Sequence, residues 1–256
     1  MATWPAHPLC VASVPWPARF WGAEQLDPGA WRQLAARLDA SAEIDALCRA
    51  LDGVADVLDV GGGTGLLTQA IAARVAPVTI VEPSAAQRAH LPAGLTALAG
   101  RAEAVPVPAA AADAAIATWV LQYTDDPGAA VDELARVARQ RVVIVQAAPG
   151  NDLVDVYNAE AGVAGLPPAH HGWLLALAAE RLAAAGFVIE LTRVAATVRC
   201  HPDEAATVAD LLATLHFADH PRRAALVAAT TPLIAARAAA GTLCDDGVML
   251  LARRPR

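Results

Sequence analysis

The stretch VLDVGGGTG at residues 57–65 decides the fold. Its first four residues have the apolar character of a buried strand, interrupted by Asp59, and glycines follow at once. The next nine residues, LLTQAIAAR, have the pattern of a helix. A strand that turns so tightly into a helix brings bare backbone close to a ligand, and side chains in place of Gly61, Gly63 and Gly65 would block that approach. The sequence therefore predicts a ligand site at this turn.

The spacing of the glycines separates two classes of nucleotide ligand. The dinucleotide fingerprint G-x-G-x-x-G needs a glycine at its sixth position, where this chain has Leu66. Asp59 stands two residues before the first glycine, where its charge would repel a pyrophosphate but would suit a ligand with an ammonium group and no phosphate. A second acid, Glu82, ends the next apolar run, VTIV at 78–81. Spacing and charge together favour S-adenosylmethionine (SAM) over NAD.

Several segments, in order, resemble the motifs of class I SAM-dependent methyltransferases. The first motif is the glycine turn, and the acidic loop, the adenine-side motif, the fourth-strand motif and the helix before strand five follow at residues 81–84, 100–106, 113–123 and 132–137. Order and spacing match over roughly residues 50–150. The likeness is strongest to the small-molecule branch that includes the ubiquinone and menaquinone methyltransferases. The resemblance implies SAM as cofactor and S-adenosylhomocysteine as product.

The alternation of strand and helix patterns predicts an α/β, Rossmann-like, doubly wound fold. Strands are predicted near residues 55–60, 77–82, 95–99, 113–119 and 141–147, with helices between them. That spacing indicates parallel strands with right-handed crossovers and a ligand at the carboxyl ends of the strands. Two later runs, 187–198 and 247–252, complete a mostly parallel sheet of seven strands, as the resemblance implies.

The chain is interpreted as a single methyltransferase domain with additions. The predicted parts are an N-terminal helical cap at 1–53, a SAM-binding core at 54–148, a lid at 149–186, and C-terminal strands and helices at 187–256. The lid is predicted because the pattern loses its regularity from Pro149 to Leu174, directly after the fifth strand. An insertion there is well placed to cover a substrate.

The resemblance assigns cofactor contacts residue by residue. We expect the two carboxylate oxygens of Glu82 to accept both ribose hydroxyls, and Asp59 to hold the turn and face the cationic end of the methionine. Arg101 stands where the family often has an acid that binds the adenine amine, so backbone groups of Ala102 and Glu103 are expected to bind adenine instead. Arg101 then either stacks on the ring or is a surface charge.

Residues after the fourth strand, Thr118 and Trp119, are expected to hold the methionine end, although Trp119 could also be plain core. Arg19 is expected to close over the methionine carboxylate from the N-terminal segment. The remaining predicted cofactor contacts are Gly61, Gly62, Gly63, Gly65 and Pro83.

Methyl transfer itself asks little of a protein, because the sulfonium is already activated and the acceptor needs only to be held in line at about 3–3.5 Å. A base is needed when the acceptor starts protonated, as a phenol, enol or alcohol does. The chain has no lysine, so histidine is the leading base. The candidates are His170 and His171 in the predicted lid, with Tyr123 on the rim between cofactor and acceptor. No metal site is expected, since His216 and His220 have no nearby carboxylate or thiolate ligand.

Composition limits the partners. The net charge of −7 argues against a nucleic-acid substrate, and 56% hydrophobic with 18% charged residues describes a globular protein. The four cysteines form no C-x-x-C pair, and no signal peptide or membrane span is expected. We expect a cytoplasmic monomer or homodimer that acts on a small molecule.

The favoured function is methylation of a small, aromatic or polyketide-like metabolite of secondary metabolism, at oxygen before carbon before nitrogen. Two alternatives stay open: an enzyme of the same fold that uses SAM for a rearrangement or cyclisation, and a non-catalytic SAM-binding protein. An NAD-dependent oxidoreductase is disfavoured by Leu66.

Overall fold

The computed structural model describes residues 26–166, 173–241 and 243–255. Within them, ten strands lie at Leu38–Asp39 (β1), Val57–Val60 (β2), Val78–Val81 (β3), Thr96–Leu98 (β4), Ala112–Thr118 (β5), Ala138–Ala147 (β6), Val188–Val194 (β7), Thr197–Val198 (β8), Leu243–Cys244 (β9) and Gly247–Arg253 (β10). The helices of the same residues are Pro28–Ala35 (α1), Ser41–Ala50 (α2), Leu66–Arg74 (α3), Ala85–Arg88 (α4), Pro127–Val137 (α5), Asp152–Ala164 (α6), Trp173–Ala184 (α7), Ala205–Phe217 (α8) and Arg223–Ala239 (α9), with short 3₁₀ turns at Leu121–Tyr123 and Pro202–Glu204.

Seven of the described strands form the main sheet, in the order β4-β3-β2-β5-β6-β10-β7. Strands β2 to β6 run parallel, and β10 lies antiparallel between β6 and β7. The strand order reverses between β2 and β5, so the crevice for a ligand opens at their carboxyl ends. The predicted α/β, mostly parallel, doubly wound sheet is confirmed.

Helices cover both faces of the sheet. On one face α5 and α7 bury Leu134 and Leu174 against β6 and β10. On the other face α2 and α3 bury Leu47 and Ile71 against β5 and β6. Parallel strands covered on both faces must be apolar throughout, which explains why the buried strand β2 reads as a nearly continuous apolar run.

A second hydrophobic cluster lies beyond the carboxyl ends of the strands and forms what we call the helical cap: α1, α6, α8 and α9. Its buried side chains include Leu34, Leu153, Leu212, Phe217 and Ile234. A three-stranded sheet of β1, β8 and β9 joins α1 to the chain around α8 and α9. The cap is therefore assembled from segments that lie far apart in the sequence.

The structure corrects the interpretation of residues 149–174 as irregular. Asn151 accepts a hydrogen bond from the backbone N–H of Val154 at 3.1 Å and begins α6, which ends at Gly165 with a left-handed backbone. The regular pattern is hard to recognise because Leu153, Val156, Tyr157 and Ala161 are buried while charged Glu160 is buried beside them. α7, inside the predicted lid boundaries, packs with α5 in the sheet layer instead.

The end of the sheet also differs from the predicted run 187–198. β7 ends at Val194 and β8 leaves the main sheet, after which α8 and α9 are inserted before β10. This insertion brings the C-terminal helices over the ligand crevice. None of the described helices is long and apolar enough to cross a membrane.

Candidate functional site

The glycine turn after β2 is built for close backbone approach. Gly61 has φ +82°, and a Cβ there would lie 2.5 Å from Val120 Cγ2. Gly63 has φ +57°, and no described atom lies within 4 Å of the place that its Cβ would take. The space beside Gly63 is therefore open, as a bound ligand requires. Gly65 has a different task, because its Cβ would meet Leu91 and Leu95, and it does not line the cavity described below.

Glu82 fixes the turn from the neighbouring strand β3. It is 3% exposed, its Oε2 accepts the N–H of Gly63 at 3.0 Å, and its Oε1 accepts the N–H of Ser84 at 2.8 Å. A carboxylate offers about four lone-pair positions, so these two bonds do not exhaust it. The carboxylate is oriented by the backbone before a ligand arrives, which fits the predicted contact with ribose hydroxyls.

Asp59 lies beneath the same turn. Its Oδ2 accepts the hydroxyl of Thr68 on α3, and its Oδ1 is buried without a hydrogen-bond partner among the described residues. Burial raises its pKa to about 6, the bond from Thr68 opposes that rise, and the charge of Glu82 adds to it. An orphaned carboxylate oxygen facing the crevice matches a cationic ligand.

The adenine-side segment lies at the next strand end. Arg101 is partly exposed and forms ion pairs with Asp125 at 3.1 Å and Glu103 at 3.6 Å. Glu103 Oε1 accepts the N–H of Asp125 at 2.7 Å. The Glu103 carboxylate thus holds the loop, and Ala102, 8% exposed, lies in the cavity wall.

Trp119 directly follows β5 with φ +59°, a conformation that non-glycine residues rarely adopt. Such strain persists only where the surroundings impose it, and it is concentrated at functional sites. The indole Nε1 of Trp119 faces both carboxylate oxygens of Glu43 at 3.4 Å. Its carbonyl accepts the Gln122 side chain at 2.9 Å. Trp119 and Thr118 both lie in the cavity wall, although Trp119 also packs against the core.

A cavity of about 580 Å³ connects these residues. One end is lined by Asp59, Gly61, Gly62, Gly63, Glu82, Pro83, Arg101, Ala102 and Glu103. The other end reaches the helical cap and is lined mostly by apolar and aromatic side chains, among them Trp31, Tyr123, Tyr157 and Leu215. The predicted cofactor residues of the described chain thus meet at one end, except Gly65, and Thr118 and Trp119 lie between the two ends.

The cap end contains polar groups that the motifs did not reveal. The hydroxyl of Tyr123 lies 3.1 Å from Nε2 of His216 on α8, and the His216 ring meets Tyr157 edge-on with centroids 4.8 Å apart. Burial raises the pKa of Tyr123 far above its usual range, so its hydroxyl stays protonated. His216 is buried, and its spacing from His220, which lies just beyond the end of α8, was the only sequence signal for it.

Two carboxyls at the cap end, Glu43 and Asp245, are also new. Glu43 lies in the first turn of α2, and Asp245 lies in the turn between β9 and β10. They lie near opposite ends of the chain, so no sequence spacing connects them. Arg19, His170 and His171 lie outside the described residues, and their predicted roles stay predictions. Among the described residues, no group of three potential ligands could hold a metal ion.

The residues present fit SAM. The open space at Gly63 leaves room beside the backbone, Glu82 stands ready for ribose hydroxyls, and the orphaned Oδ1 of Asp59 matches the charge of the methionine end.

Comparisons with known proteins agree with this geometry. Residues 58–145 match a family model described as a methyltransferase domain. A rice protein, the chloroplastic 2-methyl-6-phytyl-1,4-hydroquinone methyltransferase 2 of Oryza sativa subsp. japonica, is 34% identical over 121 residues, which are 44% of this chain and 33% of that protein. The chain thus spans about a third of the length of this relative.

Two solved structures share the fold. The magnesium protoporphyrin IX methyltransferase of Synechocystis PCC 6803, solved with bound S-adenosylhomocysteine, has a TM-score of 0.51 at 17% identity over 83% of this chain and 82% of that one. The 4+2 cyclase SpnF has a TM-score of 0.53 at 24% identity over 93% of this chain and 86% of that one. Motif order, sheet topology and family match agree: residues 58–145 form a SAM-dependent methyltransferase domain, and its cofactor is S-adenosylmethionine.

Proposed function

We propose that the protein transfers the methyl group of SAM to a small, largely apolar acceptor, aromatic or polyketide-like, that lies under the helical cap. The observation that carries this proposal is the continuous cavity from the glycine turn to Tyr123 and Tyr157. A cavity of about 580 Å³ falls within the range of small-ligand sites, roughly 300–1,000 Å³. A nucleic acid or protein chain would need an open groove instead.

The proposed order of acceptor atoms is oxygen, then carbon, then nitrogen. Bound SAM supplies an activated methyl group, and the residues of the chain orient the acceptor and exclude water. The protonated hydroxyl of Tyr123, held by His216, is placed to donate a hydrogen bond to an acceptor oxygen. A hydroxyl acceptor suits this donor, because an oxygen can accept the bond while it loses its own proton.

The test is formation of S-adenosylhomocysteine in the presence of SAM and a panel of catechols, naphthols and hydroxylated polyketides. We expect methylated product and S-adenosylhomocysteine in equal amounts with at least one hydroxylated acceptor. The Glu82→Ala variant is the control, because it should need far more SAM for the same rate. Tight SAM binding without release of S-adenosylhomocysteine from any acceptor would contradict the proposal.

A second candidate is a SAM-dependent reaction without methyl transfer, such as a rearrangement or cyclisation. It is favoured by one observation, the likeness of the fold to the cyclase SpnF over 93% of this chain. Turnover of an acceptor without release of S-adenosylhomocysteine would identify it. A non-catalytic SAM-binding protein would bind SAM through Glu82 but convert no acceptor.

A cytoplasmic location and a monomeric or homodimeric state belong to the same proposal. Size-exclusion chromatography with light scattering would determine the oligomeric state.

A further inference from the structure

Glu43 and Asp245 are two carboxyls in the wall of the same cavity, at the end that faces the helical cap. They come from opposite ends of the chain, α2 and the turn before β10, and neither belongs to a cofactor motif. Within the described residues, neither forms an ion pair with an arginine. Two uncompensated carboxyls in a mostly apolar cavity are costly to the fold, so a role in the site is the natural expectation.

Glu43 is 4% exposed, and the described residues offer its carboxylate few hydrogen-bond donors. Its two oxygens share the indole N–H of Trp119, each at 3.4 Å, which is longer than an ordinary N–H···O bond. Burial raises the pKa of Glu43 to about 7, and the negative charge of Asp245 adds to the rise. The strained backbone of Trp119 directs its indole to this carboxyl.

Asp245 is held from the side of α6. Asn151 donates its amide N–H to Oδ1 of Asp245 at 3.0 Å and to the carbonyl of Asp246 at 2.9 Å. Among the described residues, no hydrogen bond reaches Oδ2 of Asp245. Burial raises the pKa of Asp245 to about 7, the bond from Asn151 opposes the rise, and the charge of Asp246 adds to it.

Three of the other titratable groups at this end of the cavity are poor proton acceptors, and a fourth, His216, lies 3.1 Å from the hydroxyl of Tyr123. Asp246 is neutralised by Arg193 at 2.8 Å. Burial keeps the hydroxyls of Tyr123 and Tyr157 protonated by raising the pKa of both, so they can donate hydrogen bonds but are poor bases at neutral pH. A carboxyl pair that titrates near neutrality is matched to proton acceptance there.

We propose that Glu43 and Asp245 form a carboxyl pair that takes up the proton lost by a hydroxyl acceptor during methyl transfer. This inference rests on the proposed function and names its base. The acceptor oxygen forms a bond to the methyl carbon while the carbon–sulfur bond breaks and its electron pair goes to sulfur. The electron pair of the O–H bond stays on oxygen, and the proton moves to the ionised carboxylate of the pair. The protonated carboxyl then releases that proton to water after product leaves.

The first test compares Glu43→Gln and Asp245→Asn with the wild type. The assay measures the release of S-adenosylhomocysteine from pH 5 to pH 10, with a catechol or naphthol as the probe acceptor. We expect the wild-type kcat to rise through a midpoint near 7 and then to level. Each amide variant should lose about 10²-fold in kcat at pH 7 while its Kd for SAM stays within about twofold. Its residual rate should rise about tenfold per pH unit toward the pKa of the free phenol, since hydroxide then removes the proton. Glu190→Gln, exposed on β7, is the matched control and should keep the wild-type profile.

The second test needs no acceptor. Both carboxyls have a folded pKa above their usual value, so their ionisation weakens the fold as pH rises from about 4 to about 7. The amide variants lack this loss. We expect their Tm relative to wild type to increase by about 2–4 °C between pH 4.5 and pH 8, whereas Glu190→Gln shows no such trend.

Opposite results overturn the inference. A wild-type pH profile retained in both amide variants would place the base elsewhere, for example at His170 or His171. A loss of SAM affinity equal to the loss of kcat would show that the two carboxyls bind the cofactor. A Tm difference independent of pH would show that the pKa of the two carboxyls is not raised. Failure of the proposed function would give a different result, because the wild type itself would then release no S-adenosylhomocysteine with any acceptor.

Discussion

The two ends of the cavity are built in different ways. At the cofactor end, the contacts that shape the site are local, such as the bonds of Glu82 to Gly63 and Ser84. At the cap end, Tyr123 meets His216 across 93 residues of chain, and Asn151 meets Asp245 across 94. A ligand that is bound through backbone turns leaves a pattern in consecutive residues. An acceptor pocket made of helices from distant segments leaves none.

The difference extends to electrostatics. At the cofactor end, Glu82 accepts two backbone N–H groups, which hold its carboxylate in place. At the cap end, the hydrogen bonds to Glu43 from the described residues are the two long contacts from Trp119, and burial raises the pKa of Glu43 to about 7. The first arrangement suits a carboxylate that stays ionised to bind the cofactor, and the second suits a group that gains and loses a proton.

The largest effect is expected at Glu82. Glu82→Ala removes a charge-assisted contact worth about 1.5–3 kcal/mol, which corresponds to a 10- to 100-fold weaker Kd for SAM. Isothermal titration calorimetry measures it, with Glu190→Ala as the charge-removal control on β7. Unchanged affinity for SAM would show that Glu82 does not bind the cofactor, and the difference between the two ends of the cavity would then no longer hold.

An intermediate effect is expected at the glycine turn. Gly63 and Gly53 both have positive φ, +57° and +75°, and open space where a Cβ would lie. An alanine at either position should therefore cost a similar backbone strain, about 1–2 kcal/mol in the free energy of unfolding. Only Gly63→Ala should also weaken SAM binding, because Gly63 lines the cavity and Gly53 does not. Equal SAM affinity in the two variants would show that the cofactor avoids this turn.

The smallest effect is expected at the cap. Tyr123→Phe removes the hydroxyl next to His216, a hydrogen bond worth about 1 kcal/mol, or about fivefold in kcat. Its Kd for SAM should stay within about twofold, since the ring and its packing remain. A fall in SAM affinity as large as the fall in kcat would mean that the two ends of the cavity are not separate sites.

Most of the sheet could be predicted, because buried parallel strands must be apolar on both faces and their helices follow at regular intervals. Asp27 also caps α1 as its sequence indicates, with its Oδ1 accepting the N–H of Ala30 at 2.6 Å. α6 was missed because buried Glu160 interrupts its apolar face. The position of α8 and α9 over the crevice was missed because the sequence of a helix does not indicate which surface of the protein it will cover.

The sequence by itself determined the glycine turn, the acid at the end of each of two neighbouring strands, the mostly parallel sheet and, through these, the cofactor. Each depends on backbone geometry within a few residues, which a short pattern can encode. Only the tertiary structure decided the acceptor side: the pairing of Tyr123 with His216, the cap of α1, α6, α8 and α9, and the place of Glu43 and Asp245 in the wall of one cavity. Those contacts arise when distant segments bury their apolar faces together, and burial itself then raises the pKa of the two carboxyls.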